Sequence, residues 1–317
     1  MIEAEPPPDP GSGATIRRFE VLAAASRRSL PLGRLYEGHA DAIAILHEAG
    51  SAVPQGLLGV WASEGGDQPV VLVRRGGGQF TIDGTKVFCS GSTLARWALV
   101  TAHAGMEVQL VLIDLRADGV SLAEPTWVGA GMRSAETRSV VFRNAPVAAL
   151  IGPPNWYLER VGFWHGAAGV AACWLGGAQA LVDTLRRDAS DHDPHAMAHL
   201  GEAAATVFAM EATLGRAAAQ IDATPRDGDA AYERALLVRG VVEAGCRSVL
   251  DQVALALGPR PLALDLEHSA RVADLEVYLR QHHGRRDLAE LGSLLKGKAD
   301  VDRRSHDEDE EVAACGR

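Results

Sequence analysis

Two places in the sequence carry side chains whose types and neighbours suit proton chemistry. The first is the pair Glu159 and Arg160 in YLERVGFWHGAAGVAACWLGGAQALVDTLRR, residues 157–187, where an acid and a base precede a run almost free of charge. A carboxylate that opens a helix is stabilised by the macrodipole by roughly 0.3–1 kcal/mol, which is reason enough for an acid in a first turn. In a dry pocket the same group becomes a stronger base. The second place is His282, followed by His283 and set among Arg280, Arg285 and Arg286. A neutral imidazole accepts a proton and an imidazolium donates one, while a basic cluster of this kind also marks a polar helix terminus. Cys89, Cys173, Cys246 and Cys315 lie far apart with no C-x-x-C spacing, so neither a metal site nor a disulfide framework is indicated, and a reducing cytoplasm is expected.

The elements that must hold these groups follow from periodicity and from Gly and Pro punctuation. Residues 1–17 are rich in Pro and Gly, lack the basic start and apolar core of a signal peptide, and are expected to form a disordered arm. Residues 18–56 read as a short helical unit broken at Pro31 and stopped at Gly50. Over residues 57–150, runs such as LLGVWASE, WALVTAHA and VQLVLIDLR alternate with Gly, Asp and Asn turns without helices between them, which predicts an antiparallel barrel or sandwich. Residues 151–297 turn to helical periodicity with breaks at SDHDPH, TPRDGD and LGPRPLALD, the pattern of a four-helix bundle. Residues 298–317 are expected to be a disordered acidic tail. The fold class is therefore α+β. Gly162, Gly166, Gly169 and Gly177 would let helices approach closely, and Trp164 and Trp174 beside them belong to a core or an interface.

At 317 residues the chain suits two or three packed units. A net charge of -10, part of it in HDEDEEVAACGR, argues against nucleic acid as a partner. The longest apolar run, residues 161–182, is interrupted by His165 and by glycines, which argues against a membrane span.

A short helical piece, a β unit and a four-helix bundle, in that order, resemble the acyl-CoA dehydrogenases, and local motifs extend the likeness over about residues 30–297. GGGQFTIDGTKVFCSGSTLARWALVTAHAG is similar to the family's strand, Gly turn and G-x-K segment beside the flavin. There Phe88 takes the place of the aromatic residue against the isoalloxazine, and Ser90 that of the hydroxyl facing flavin N5. GVWASEGG resembles the loop that binds the flavin pyrimidine edge, with Ser63 and Glu64 in the Thr and Glu places. WVGAGMRSAETRSVVFRNAPV is similar to a family strand pair, with Arg133, Thr137 and Phe142 in register. LER followed by GAAGVA puts Glu159 where a minority of members carry the catalytic glutamate, and Arg160 on the adjoining arginine. Near the bundle end Asp274 and Tyr278 align with the family pattern, His282 falls on the glutamate position used by most members, and Gly258 falls in the loop that touches a partner's cofactor.

The resemblance implies FAD between β unit and bundle, abstraction of the α-proton of an acyl thioester or related small molecule by Glu159, and hydride transfer to flavin N5. It also implies face-to-face pairing of bundles into a homodimer or homotetramer, and it implies no metal. A second reading keeps the flavin and makes the chain a reduced-flavin monooxygenase in which His282 serves oxygen chemistry. A third keeps only the scaffold, as a binding or assembly subunit. Relative to the family, the N-terminal helical domain is shortened.

Overall fold

The computed structural model describes residues 6–65 and 68–298. Helix α1 (Thr15–Arg28) and helix α2 (Leu30–Glu48) meet at Ser29, whose extended backbone ends one helix and whose hydroxyl accepts the Leu32 N–H at 3.4 Å to cap the next. Pro31 sits in the first turn of α2, where its missing N–H costs nothing. The two helices fold back closely: a Cβ on Gly33 would lie 1.9 Å from Ser26 Oγ. The expected disordered arm is corrected here for residues 6–17. Pro7 is buried, and α1 begins at Thr15. The Gly13 N–H, the Thr15 N–H and the Thr15 hydroxyl all donate to the Asp222 carboxylate, at 3.1, 3.1 and 2.6 Å. A carboxylate more than two hundred residues away supplies the partners that the arm lacks within itself.

Eight strands follow in one sheet: β1 (Leu58–Trp61), β2 (Val71–Arg74), β3 (Phe80–Cys89), β4 (Trp97–Ala104), β5 (Glu107–Asp114), β6 (Val120–Leu122), β7 (Arg138–Pro146) and β8 (Ala149–Ile151). The order is β6-β7-β3-β2-β4-β5-β8, with β1 also beside β4. The expectation of a purely antiparallel unit is corrected: β1 runs parallel to β4 from Leu58↔Trp97 to Trp61↔Val100, and β2 joins β4 in parallel at Val71↔His103. The antiparallel β5 takes the other edge of β4 across a tight turn at Gly105, so β1 and β2 share the remaining one. β4 is accordingly buried on both faces over Ala98–Ala102. Ala98, Val100 and Ala102 join a core with Trp61, Ile82 and Phe142, while Leu99 faces Ile45 and Leu46 of α2.

The bundle has three long helices, α4 (Val161–Asp188), α5 (Pro194–Ala223) and α6 (Gly228–Leu257). The fourth position is broken into α7 (Arg260–Leu264), α8 (Leu266–Tyr278) and α9 (residues 285–298), separated by a tight turn and by Gly284 at φ 59°. Asp193, Asp227 and Asp265 cap α5, α6 and α8 by accepting N–H groups of His195, Ala230 and His268. The main core joins Phe19 and Leu22 of α1 to Trp174 and Leu181 of α4, Val242 of α6 and Tyr278 of α8, so α1 completes the bundle. Glycines of α4 make room for that contact, since Cβ atoms on Gly169 and Gly177 would meet Leu22 and Leu30. Apart from Lys298, the expected tail lies outside the described residues, as does Cys315. Among the described residues no helix is long and apolar enough to cross a membrane, and no group of three or more His, Cys, Asp or Glu could hold a metal.

Candidate functional site

A cavity of about 550 Å³ opens where α2, the end of β1, α4, α6 and residues 281–290 meet. Its volume lies within the usual range of small-molecule sites. Helix α2 contributes Arg34, Glu37 and Asp41, which the helical repeat puts on one face. β1 and its continuation contribute Trp61 and Ser63, α4 and the turn before it Tyr157, Arg160 and Trp164, and α6 Tyr232 and Arg239. Trp164, expected in a core or interface, is part of this wall and packs against Tyr232 with ring centres 4.3 Å apart and planes tilted by 43°; Trp174 is fully buried.

Phe88 reaches the cavity through a break in strand geometry. The pairing of β3 with β7 shifts register between Lys86 and Cys89, and Phe88 has φ 56°. A non-glycine residue in this region costs on the order of 1–3 kcal/mol, and such strain collects at ligand sites. The bulge turns the ring out of the sheet core, leaving it 64% exposed on the cavity lining. Ser90 does not follow it. It stands beyond the end of β3, where its Oγ accepts from Thr137 Oγ1 at 3.2 Å and its carbonyl from Trp61 Nε1 at 3.1 Å, and it is not part of the cavity lining. The bulge at Phe88 separates the two residues that the sequence puts on one ligand-facing strand.

Ser63 does line the cavity, donating from Oγ to Val87 O at 2.7 Å and so tying the chain after β1 to β3. Next to it Glu64 accepts from Lys86 Nζ at 2.8 Å and Thr101 Oγ1 at 3.2 Å, with His103 Nε2 at 3.3 Å. Burial pushes the Glu64 carboxyl up, but the Lys86 ammonium and the other hydrogen bonds outweigh it and hold the group below its ordinary value.

Glu159 and Arg160 part company. Glu159 ends a short helix, α3 (Trp156–Glu159), and Arg160 has the extended backbone of an N-cap (φ -64°, ψ 140°) before α4 begins at Val161. Glu159 is therefore outside the first turn of the long helix. It is exposed and does not line the cavity. Arg160 does, with its side chain 5% exposed, an ion pair to Glu48 at 2.7 Å and its guanidinium 5.4 Å from the Tyr157 ring. Its Nε is buried without a hydrogen-bond partner among the described residues.

The His282 side chain is 1% exposed, packs edge-on against Trp174, accepts the Gly284 N–H through Nδ1 at 3.3 Å, and leaves Nε2 unbonded at 3.8 Å from Asp287. Burial lowers its pKa against the pull of Asp287. The cavity is reached instead by His283, whose Nδ1 lies 3.1 Å from Asp287 Oδ1. Gly258 ends α6 with φ 61° in open space, away from the lining.

Sequence reasoning missed the charged wall from α2 and α6. Glu37 is 4% exposed and hydrogen-bonded by Arg34. Burial pushes its carboxyl above the ordinary range, the Arg34 guanidinium pulls it down, and the charge of Asp41 one turn on raises it again. Arg239 donates to the carbonyls of Ala167 at 3.2 Å and Gln281 at 2.6 Å and stacks at 4.7 Å from the Trp174 ring, with no carboxylate in ion-pair range among the described residues. The available signal was the spacing of Arg34, Glu37 and Asp41 along an otherwise apolar helix.

A sheet set between an N-terminal helical pair and a helical C-terminal region, with a cavity at their junction, is the acyl-CoA dehydrogenase-like fold, and this chain has that fold. Residues 65–145 match the family model described as acyl-CoA dehydrogenase, middle domain. TdsC from Paenibacillus sp. A11-2, solved with FMN and indole, superimposes with a TM-score of 0.79 at 19% identity, over 89% of this chain and 83% of that one. KijD3, solved with FMN and a dTDP-linked amino sugar, gives 0.76 at 15% identity, over 89% and 79%. The methanesulfinate monooxygenase MsuC from Pseudomonas fluorescens gives 0.73 at 18% identity, over 89% and 83%. Among curated proteins none matches the sequence.

Proposed function

We propose that the chain is a flavin-dependent monooxygenase that binds FMN in the cavity at Phe88 and acts on a small molecule seated against the Trp164–Tyr232 wall. The observation that carries this reading over α-proton abstraction is the position of Glu159, which is exposed and outside the cavity while Arg160, Arg239 and His283 line it. FMN is preferred to FAD because TdsC and KijD3 were solved with it. The residues present fit such a group. Phe88 offers an exposed ring for stacking on a flat heterocycle, and the unbonded Arg160 Nε offers a donor to a polar edge. When bound, the flavin would supply the activation of dioxygen. The chain's own part is to orient and to exclude water. Ser63 and the Glu64–Lys86 pair fix the loop after β1, Trp164 and Tyr232 form an apolar wall, and Arg239 offers positive charge for an oxyanion.

The test supplies the purified protein with reduced FMN, oxygen and indole as probe, and separately with oxidised FAD and an acyl-CoA without oxygen. Oxygen-dependent conversion of indole is the expected result. Bleaching of bound FAD by acyl-CoA would overturn the reading in favour of the dehydrogenase, and failure to bind either flavin would favour the scaffold. Phe88→Ala is expected to weaken FMN binding about two- to tenfold, the loss of a stacking contact worth roughly 0.5–1.5 kcal/mol, as read by quenching of flavin fluorescence.

A further inference from the structure

We infer that Arg239 selects the substrate of this cavity, and that the substrate is a small molecule with an apolar, ring-sized body and an oxyanion such as a carboxylate at one end. The inference rests on the reading above only in taking the cavity as the substrate's seat. Two other arginines of the wall already have carboxylates, since Arg34 donates to Glu37 and Arg160 pairs with Glu48 at 2.7 Å, while Arg286 is exposed at the mouth. Arg239 is half-buried and has no carboxylate in ion-pair range among the described residues. It is held by neutral groups, the carbonyls of Ala167 at 3.2 Å and Gln281 at 2.6 Å and the face of Trp174 at 4.7 Å. These fix the guanidinium and leave its charge unmet. Further N–H groups of its fork remain for an oxyanion. The carboxylates of the cavity do not fill the place: Asp41 pairs with Arg18 at 2.6 Å, Asp287 accepts the His283 N–H at 3.1 Å, and Glu290 is exposed at the rim. A cation drawn out of water without a counter-charge is costly, and an anionic ligand removes that cost.

The position of the guanidinium sets the shape of the ligand. Tyr232 and Arg239 lie two turns apart on one face of α6, and both line the cavity. Ala167, whose carbonyl accepts from Arg239 Nη1, follows Trp164 on α4 by about 4.5 Å of helix rise. The guanidinium therefore stands about one helical turn from the place where Trp164 meets Tyr232. A ring seated on that wall carries a short substituent to Arg239. A neutral substituent leaves the cation without its counter-charge; a carboxylate accepts from the fork in a charge-assisted hydrogen bond. The phosphate of a flavin is the competing oxyanion, and the test separates the two.

The experiment is a calorimetric titration of the flavin-free protein with indole-3-acetate and with its neutral isostere indole-3-acetamide, in the parent, Arg239→Gln and Arg239→Lys, with thermal melts to show that each variant is folded. The parent should bind the acetate at least about tenfold more tightly than the acetamide. In Arg239→Gln that ratio should fall to within about twofold while the acetamide affinity stays near the parent's, a selective loss that general damage to the wall would not give. Arg239→Lys should keep part of the ratio, because the charge survives and the fork does not. Absence of acetate binding to the parent, a parental ratio below about twofold, or a ratio that survives Arg239→Gln overturns the inference. So does a loss of FMN but not riboflavin affinity in Arg239→Gln with the acetate preference intact, which assigns the guanidinium to the flavin phosphate. A protein that shows the preference yet oxidises nothing with reduced FMN and oxygen overturns the monooxygenase reading and leaves Arg239 as the anion site; one that oxidises indole without the preference overturns the inference alone.

Discussion

Replacing Gly176 with valine should destabilise the protein by about 3 kcal/mol or more, a large share of the roughly 5–15 kcal/mol that holds a domain folded. The reason is the contact between α1 and α4. A Cβ at position 176 would stand 2.1 Å from the Ala23 carbonyl oxygen and 2.9 Å from the Arg27 nitrogen. These are backbone atoms of a helix, so no rotamer change relieves the overlap and α1 must lift away. Lifting it uncovers Phe19 and Leu22, which pack with Trp174 in the main core, and carries Arg18 away from Asp41. Gly177→Ala is the graded control, since its Cβ would meet Leu30 Cδ2 at 2.8 Å, the far end of a side chain that can turn; a loss of about 1 kcal/mol is expected. Gly215→Ala on α5 meets nothing within 4 Å and should raise stability by about 0.5–1 kcal/mol through the unfolded chain. Urea titration of the three variants would show the ordering. A Gly176→Val protein with parental stability would mean that α1 does not dock on α4 as described.

The order of elements was legible because its signals are local. Each bundle break carries an Asp cap, at Asp193, Asp227 and Asp265, and Pro31 with Ser29 marks the joint of α1 and α2. What was not legible depends on partners far away in sequence or on backbone that residue type does not announce. Asp222 orders the N-terminal arm across more than two hundred residues. Phe88 takes a positive φ without being glycine, so the strand pattern gave no hint that Ser90 would be split from it. WYLERVGF reads as continuous helix, with neither proline nor glycine before Val161, yet the chain extends at Arg160 and leaves Glu159 outside. Glu37 was hidden by the ordinary expectation that a charged helix residue faces water, which holds unless the charge is paired. Here Arg34 pairs it, and a residue of the wrong polarity for a core becomes part of a cavity wall.

Ala167→Trp should abolish ligand binding while sparing the fold, and it tests where the ligand sits without presuming which ligand it is. Ala167 is half-buried on α4, on the cavity wall between Gly166 and Val170, and its carbonyl already accepts a hydrogen bond from Arg239. A side chain there grows into empty space, so the overpacking that Gly176→Val suffers does not arise, and the melting temperature should stay within a few degrees of the parent. An indole ring in the cavity takes the volume a flavin or a small aromatic molecule would need. The expected loss in FMN affinity is at least about a hundredfold, near 2.8 kcal/mol, which exceeds what removal of the Phe88 ring can cost because exclusion removes every contact at once. The two variants act in opposite ways on one space. Phe88→Ala enlarges the mouth and weakens stacking, so a larger ligand could regain what FMN loses; Ala167→Trp admits no such compensation. Unchanged FMN affinity in Ala167→Trp would place the flavin elsewhere on the molecule, and Glu37 and Asp41 would then face a cavity whose occupant is of another kind.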